Sequence, residues 1–361
     1  MKRRTPYLRF DEERIRANAL SVGAGIPGCA GFYAVKANDT EEVLRILASL
    51  EIGFEVASIA ELERVVRLGV PPWKIITSNP VKTDEFIRVA HQFGLEQYVV
   101  DCPDEVDKLA RLLPGARIIV RLSVSNAHSQ WPLSGKFGVE PADVVPMLQY
   151  AAERGLRPAG TTFHVGSQCV HPVAWSDALD ECAEIWDAAR EAGMELEILN
   201  LGGGYPSEYR EPVPTVAEIE AVIARSVAAL YPVGVKVQVE PGRYIVGDAG
   251  VFVTTCVATA RREGVDWLFL DLGVFNGLME SVAGIKYRFS VPGGGPVKSW
   301  TIAGPTCDGF DVVDRGVELP EPAVGQEVLV HTAGAYTTVY ASNFNGLPNP
   351  MVVWSDDDPN E

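Results

Sequence analysis

The stretch "KVQVEPGRYIVGDAGVFVTTCVATARR", Lys236 to Arg262, decides how the chain divides. Its first five residues are a short β-rich run, of a kind that recurs back to residue 31 with helical patterns between. After about residue 247 the texture changes. "VFVTTCVATARR", "DWLFLDLG", "SWTIAGPT", "EVLVHTAGAYTTVYA" and "MVVW" are strand-like runs parted by Gly and Pro turns, with few long helical patterns among them. An alternating region therefore gives way to an all-β one.

Working outward toward the N-terminus, the β-rich runs are "FYAVK" (32–36), "FEVAS" (54–58), "KIITS" (74–78), "YVVD" (98–101), "RIIVRL" (117–122), "TTFHV" (161–165), "ILNL" (198–201) and "KVQVE" (236–240). Segments such as "TEEVLRILASL", "DEVDKLARLL" and "VAEIEAVIARSVAAL" lie between them, with apolar residues at i, i+3, i+4 and i+7. Eight strands alternating with helices predict an α/β fold, a (β/α)8 barrel over residues 10–246. Residues 247–361 form the β domain, and the opening run "TPYLRF" assigns residues 1–9 to it as well.

At 361 residues, with 47% apolar and 22% charged content, the chain reads as globular. Only the end, "SDDDPNE", offers nothing that packs and reads as a solvated tail. The net charge of -17 excludes an ordinary nucleic-acid partner, because phosphate backbones need a basic face. The start "MKRRTPYLRFDEER" lacks the apolar core of a signal peptide. No apolar run approaches the roughly 18 residues of a membrane span. Six scattered cysteines without CxxC spacing predict reduced thiols in the cytoplasm and no metal site.

In such a barrel, chemistry gathers at the C-terminal ends of the strands. Lys36 ends the first run, His164 lies near the end of the sixth, "GGGYP" (202–206) follows the seventh and "EPGRY" (240–244) ends the eighth. Burying an unpaired ammonium costs several kcal/mol or forces deprotonation, so Lys36 is a poor core filler. A partly desolvated lysine of lowered pKa suits imine formation with an aldehyde cofactor. The competing reading is a lysine snorkelling to a surface carboxylate. Gly202, Gly203 and Gly204 expose backbone N–H groups to a phosphate, with Arg243 as a second contact; a tight chain reversal is the alternative. His164 either stacks on a planar cofactor with Ser167 on its phosphate, or is a satisfied core histidine. Glu240 either holds a protonated pyridine nitrogen or pairs with Arg243. Taken together, these residues describe a pyridoxal 5'-phosphate site.

The ordered motifs "YAVKAN", "FHVGS", "GGGYP", "EPGRY", "GPTCDGFD" and "GAYT" resemble those of the fold-type III pyridoxal-phosphate decarboxylases, the ornithine/lysine/diaminopimelate/arginine group. The resemblance implies that Lys36 carries the cofactor and His164 stacks on it. It places Ser167, the Gly202–Gly204 loop, Arg243 and Tyr336 at the phosphate and Glu240 at the pyridine nitrogen. It further implies a homodimer with shared active sites, Cys307 and Asp308 acting in trans. Cys307 is the implied proton donor, and a buried thiol acting as a small hydrophobe is its alternative. The pair "CD" (307–308) and "FNG" (344–346), which begins with Phe344, resemble the ornithine/lysine group, in which the aspartate meets the distal ammonium of a basic amino acid, and "LDLGVFNGLMES" (270–281) resembles its bacterial members. That implies decarboxylation of ornithine or lysine to a diamine, as in polyamine biosynthesis.

One departure concerns the far end of the substrate. The residue before Gly273 is Leu272, where the eukaryotic pattern has a second aspartate, and Asp271 lies one position earlier. A one-residue shift along a strand turns a side chain to the other face. Asp271 and Glu280 are therefore both candidates for the second acid, Glu280 being alternatively solvated. Decarboxylases of diaminopimelate, carboxynorspermidine or arginine, an alanine-racemase-like enzyme and a non-catalytic homologue are the competing functions. The "GPTCDGFD" and "GAYT" motifs speak against the racemase, and intact Lys36, Cys307 and Asp308 against the non-catalytic homologue.

Overall fold

In the computed structural model, which describes residues 3–50 and 52–355, all eight expected runs form parallel strands of one barrel. They are Ala30–Ala34, Gly53–Glu55, Ile75–Ile76, Gln97–Val100, Arg117–Arg121, Arg157–Thr162, Ile198–Asn200 and Lys236–Val239. Each pairs with its sequence neighbour except the third and fourth, which a single parallel bridge, Thr77 to Tyr98, brings together. The first and eighth strands pair through Gln238–Ala30 and Val239–Gly31, so the sheet runs round on itself. The reading of the tail "SDDDPNE" beyond Ser355 lies outside the described residues.

Side-chain alternation sorts the strand residues into two sets. Val99, Ile119, Ala159 and Ile198 form a small cluster of their own, while Tyr98, Val100, Ile118 and Val120 join the main core with the surrounding helices. The first set is the inward face of the strands and the second the outward face. Each helix offers an apolar stripe to that outward face. Glu41–Ser49 buries Val43, Leu44, Ile46 and Leu47, and its Glu41 and Glu42 favour the positive end of the helix dipole. Val216–Leu230 begins with a capping box in which Thr215 and Glu218 satisfy each other's backbone N–H groups. The helix Asp84–Gln92 also belongs to the ring, its N-terminus capped by Thr83.

The second sheet is built on the long strand Gly250–Arg262, which pairs with Val265–Leu270, Glu327–His331 and the opening strand Tyr7–Phe10. Tyr7–Phe10 pairs with the β region as its sequence suggests, lying also beside Met351–Trp354 in parallel. Two strands not singled out in the sequence complete the sheet, Arg288–Ser290 and Val312–Pro320. The run "EVLVHTAGAYTTVYA" is strand only as far as His331. Its remainder leaves the sheet as a loop that contacts the barrel: Tyr336 N–H donates to Ala37 O at 2.8 Å and Asn38 Nδ2 to Gly334 O at 3.0 Å. That loop brings Tyr336 to the end of the first barrel strand. Among the described residues, no helix is long and apolar enough to cross a membrane.

Candidate active site

Lys36 does not end a strand. The first strand stops at Ala34 and Lys36 sits in a single 3-10 turn, Val35–Ala37. The sixth strand likewise stops at Thr162, placing His164 in the loop beyond it. Both shifts carry the side chains past the pleat, so their directions are set by the loops and not by strand alternation. Lys36, His164, Ser167, Gly203, Gly204, Glu240, Arg243 and Tyr336 then line one cavity, with Ala34, Tyr205 and Gly242.

Lys36 is ion-paired with Glu55, which ends the second strand and is 1% exposed. Burial alone lowers the lysine pKa, yet the summed pull of Glu55, Tyr336 and Glu240 prevails and raises it. This corrects the expected lowered pKa: the sequence reading leaves out Glu55, whose carboxylate stabilises the ammonium.

Glu240 does not pair with Arg243. Its Oε1 accepts from Asn200 Nδ2 at 2.5 Å and from Ser78 Oγ, both at strand ends. Burial first, then repulsion from Glu55, raises the Glu240 pKa, while Lys36 and the two donors pull it down. His164 Nδ1 accepts from Gly166 N–H at 3.0 Å. Burial, with Arg121 and Lys36 adding to it, pushes the His164 pKa down to about 3, so the imidazole is neutral with its proton on Nε2.

Arg243 opens a four-residue helix, Arg243–Val246, and is 3% exposed. It forks onto Glu280, Nη1 to Oε2 and Nη2 to Oε1, both at 2.6 Å. Ser167 Oγ accepts from its Nη2 at 3.1 Å, and the guanidinium lies 4.9 Å from the Tyr336 ring centre. The glycines meet the tight-reversal reading, and Gly203 and Gly204, but not Gly202, line the cavity. A Cβ on Gly202 would stand 2.4 Å from Phe163 O, on Gly203 2.6 Å from Glu240 O and on Gly204 2.7 Å from Gly166 O. Only glycine lets this loop pack so closely on its neighbours.

The remaining candidates lie elsewhere. Asp271 faces away from the cavity: Oδ2 accepts from Thr5 at 2.5 Å, and Oδ1 accepts from Thr255 N–H at 2.9 Å and from the Thr254 hydroxyl. With both oxygens occupied inside the β sheet, Asp271 is not a free substrate acid, which corrects that expectation. Glu280 is neither solvated nor free, being 2% exposed with both oxygens on Arg243. Cys307 and Asp308 lie on an exposed loop and do not line the cavity. Asp308 accepts from Phe310 N–H at 2.8 Å, and Cys307 N–H donates to Asn345 at 3.0 Å. Phe344, 38% exposed, packs its ring 4.9 Å from that of Phe275.

Sequence reasoning misses Glu55, Ser78, Arg121 and Asn200, all of which act on the pocket's charges. Their shared signal is a polar residue at or just past the C-terminal end of a barrel strand, the rim where barrel chemistry gathers.

The cavity suits pyridoxal phosphate in its donor set. It offers an amine, a carboxylate at the end of the eighth strand, an imidazole, and an arginine with serine and open glycine backbone. A Cβ on Gly203 would also come within 3.3 Å of His164 Nε2, so the bare backbone there keeps the cavity open beside the imidazole. Comparison with known proteins agrees. Residues 12–247 match the family model described as pyridoxal-dependent decarboxylase, pyridoxal binding domain. A lysine/ornithine decarboxylase of Selenomonas ruminantium is 36% identical, covering 98% of this chain and 90% of its own. The lysine decarboxylase structure from Selenomonas ruminantium superposes with a TM-score of 0.90 at 34% identity, over 99% of this chain and 94% of that one. The lysine/ornithine decarboxylase of Vibrio vulnificus complexed with cadaverine gives 0.91 at 30% identity, over 98% and 95%. Strand order, cavity and similarity along the chain thus converge, and the chain belongs to the pyridoxal-dependent decarboxylase family.

Proposed function

We propose that the protein decarboxylates a basic L-amino acid, ornithine or lysine, to the corresponding diamine with pyridoxal phosphate held in this cavity. The observation that carries the reading is the convergence of Lys36, Glu240 and Arg243 on one cavity. Relatives named lysine/ornithine decarboxylase, and a neighbour complexed with cadaverine, support the substrate class. When bound, the cofactor supplies an electron sink for the electron pair left as CO2 departs.

The chain's own residues have separable tasks. Lys36 Nζ holds the cofactor aldehyde and exchanges protons with Glu55 beside it. Glu240, oriented by Ser78 and Asn200, meets the ring nitrogen. Neutral His164 presents its ring face without adding a charge. Ser167, Gly202, Gly203, Gly204, Arg243 and Tyr336 form the phosphate end. Cys307 donates the proton to Cα and Asp308 receives the distal ammonium. Their place on an exposed loop that does not line the cavity of their own chain supports the reading, implied by the resemblance, that they serve the site of a second copy in a homodimer. Phe344, packed on Phe275, borders the substrate end with them.

On this reading the barrel unit spans residues 10–246, with 1–9 and 247–361 as the β unit. Six unpaired cysteines support a reducing, cytoplasmic setting, and diamine production supports a place in polyamine biosynthesis. Turnover on ornithine, lysine, arginine and diaminopimelate tests the proposal. Ornithine and lysine should lead, and a preference for diaminopimelate, with its distal carboxylate, would overturn the role of Asp308.

A further inference from the structure

Every N–H of the Arg243 fork already has an acceptor. Nη1 donates to Glu280 and to Tyr209 Oη, both at 2.6 Å. Nη2 donates to Glu280 at 2.6 Å and to Ser167 at 3.1 Å, and Nε reaches Ser167 at 3.3 Å. The Nη1/Nη2 edge is thus held by a buried carboxylate through two short charged bonds, whereas the Nε/Nη2 edge has only contacts of 3.1 and 3.3 Å to one neutral hydroxyl. Arg243 and its partner on that second edge, Ser167, both line the cavity with Gly203 and Gly204. An anion arriving there displaces little, but it meets a cation whose charge Glu280 already balances.

We propose that Glu280, through Arg243, is a positioning residue that sets the pocket's affinity for the phosphate group. It fixes the guanidinium by one edge, leaves the other to the ligand, and offsets enough positive charge to keep the bound anion exchangeable. The proposal rests on the cofactor reading of the cavity and adds to it a role that neither substrate binding nor solvation gives. A buried arginine stripped of its counter-charge is strained until another anion replaces it, so the free energy of replacing the missing charge becomes ligand affinity.

The test uses cofactor-free protein and isothermal titration with inorganic phosphate, pyridoxal phosphate and pyridoxal, at fixed pH and salt, on wild type, Glu280→Gln and Glu280→Asp. Glu280→Gln should bind inorganic phosphate and pyridoxal phosphate at least about tenfold more tightly than wild type, with pyridoxal unchanged. Glu280→Asp, which keeps the charge, should stay within about threefold of wild type. Unchanged or weaker phosphate binding by Glu280→Gln overturns the proposal. Should Glu280→Gln fold only when inorganic phosphate is present, the proposal is supported; failure to fold even then overturns it. Wild type that takes no pyridoxal phosphate would refute the cofactor reading itself, and the proposal with it, whereas failure of Glu280→Gln to tighten refutes the proposal alone.

Discussion

The cavity at the barrel mouth and the loop carrying Cys307 and Asp308 are built on opposite terms. In the cavity each charge has its counterpart: Lys36 has Glu55, Arg243 has Glu280, and Glu240 has Ser78 and Asn200. On the loop, Cys307 and Asp308 are exposed, and Asp308 engages only the backbone of its own turn among the contacts seen. Desolvated charges need partners and exposed ones do not. The cavity therefore balances its charges within one chain, while the loop leaves its acid exposed, the contrast on which the proposed shared site rests.

The strongest way to break the contrast is to remove the group for which the cavity has no substitute. Lys36→Ala should lower decarboxylation by several orders of magnitude, since covalent catalysis has no replacement group nearby. In the wild type, borohydride should fix pyridoxal phosphate on Lys36; peptide mapping that finds another lysine, or none, refutes the pocket.

Mixing asks whether the halves come from different chains. Lys36→Ala and Cys307→Ala subunits, each inactive alone, should regain activity when exchanged, because some heterodimers assemble one intact centre. Exchange verified by mass with no recovered turnover would place the whole site in one chain.

Asp308→Ala probes the loop alone and should lower kcat/KM for ornithine or lysine by roughly two to four orders of magnitude, the equivalent of leaving one partner of a desolvated charge pair unmatched. Visible absorption by the cofactor should persist. A variant that loses colour together with activity would show that the loop is part of the cofactor pocket after all.

The smallest effect concerns the cavity's own pH response. His164 has its folded pKa pushed down to about 3, so the unfolded chain binds its proton first as pH falls, and stability drains away from about pH 6.5 downward. Urea midpoints of cofactor-free wild type should fall over that window, and His164→Phe should fall less steeply. The difference should be at most about 1.4 kcal/mol per pH unit, the linkage limit for one proton. Parallel curves would mean that His164 titrates normally.

The barrel was legible because each strand is a short apolar run set off by amphipathic helices, and the two periods differ. Arg288–Ser290 was not, being three residues long, and in Val312–Pro320 the segment Asp314–Arg315–Gly316 interrupts the alternation beside a register shift in its partner strand. Lys36, His164, Ser167, Glu240, Arg243 and Tyr336 sit in recognisable motifs and meet in one cavity. Glu55, Ser78, Arg121 and Asn200 are single polar residues with no pattern of their own, and only the closing of the sheet brings them together. Asp271 and Glu280 show the sharper limit. Sequence supplies the carboxylates, but their partners come from Thr5 and Thr255 in one case and Arg243 in the other, across distances in the chain that no local rule spans.

The strand Tyr7–Phe10 lies between Gly250–Arg262 and Met351–Trp354. One of the first segments to be synthesised thus waits for two that emerge much later, and contacts of such sequence separation form slowly. The barrel has nearly all its residues before the β sheet can close, and the loop bearing Tyr336 reaches Ala37 from that same late sheet. The order of synthesis thus becomes an order of competence: the cavity gains Tyr336 only once the late sheet is in place. A nascent chain arrested before Met351 would already carry every cavity residue, Tyr336 included, while Tyr7–Phe10 keeps one bare side where Met351–Trp354 would lie, open to pairing with whatever strand it meets.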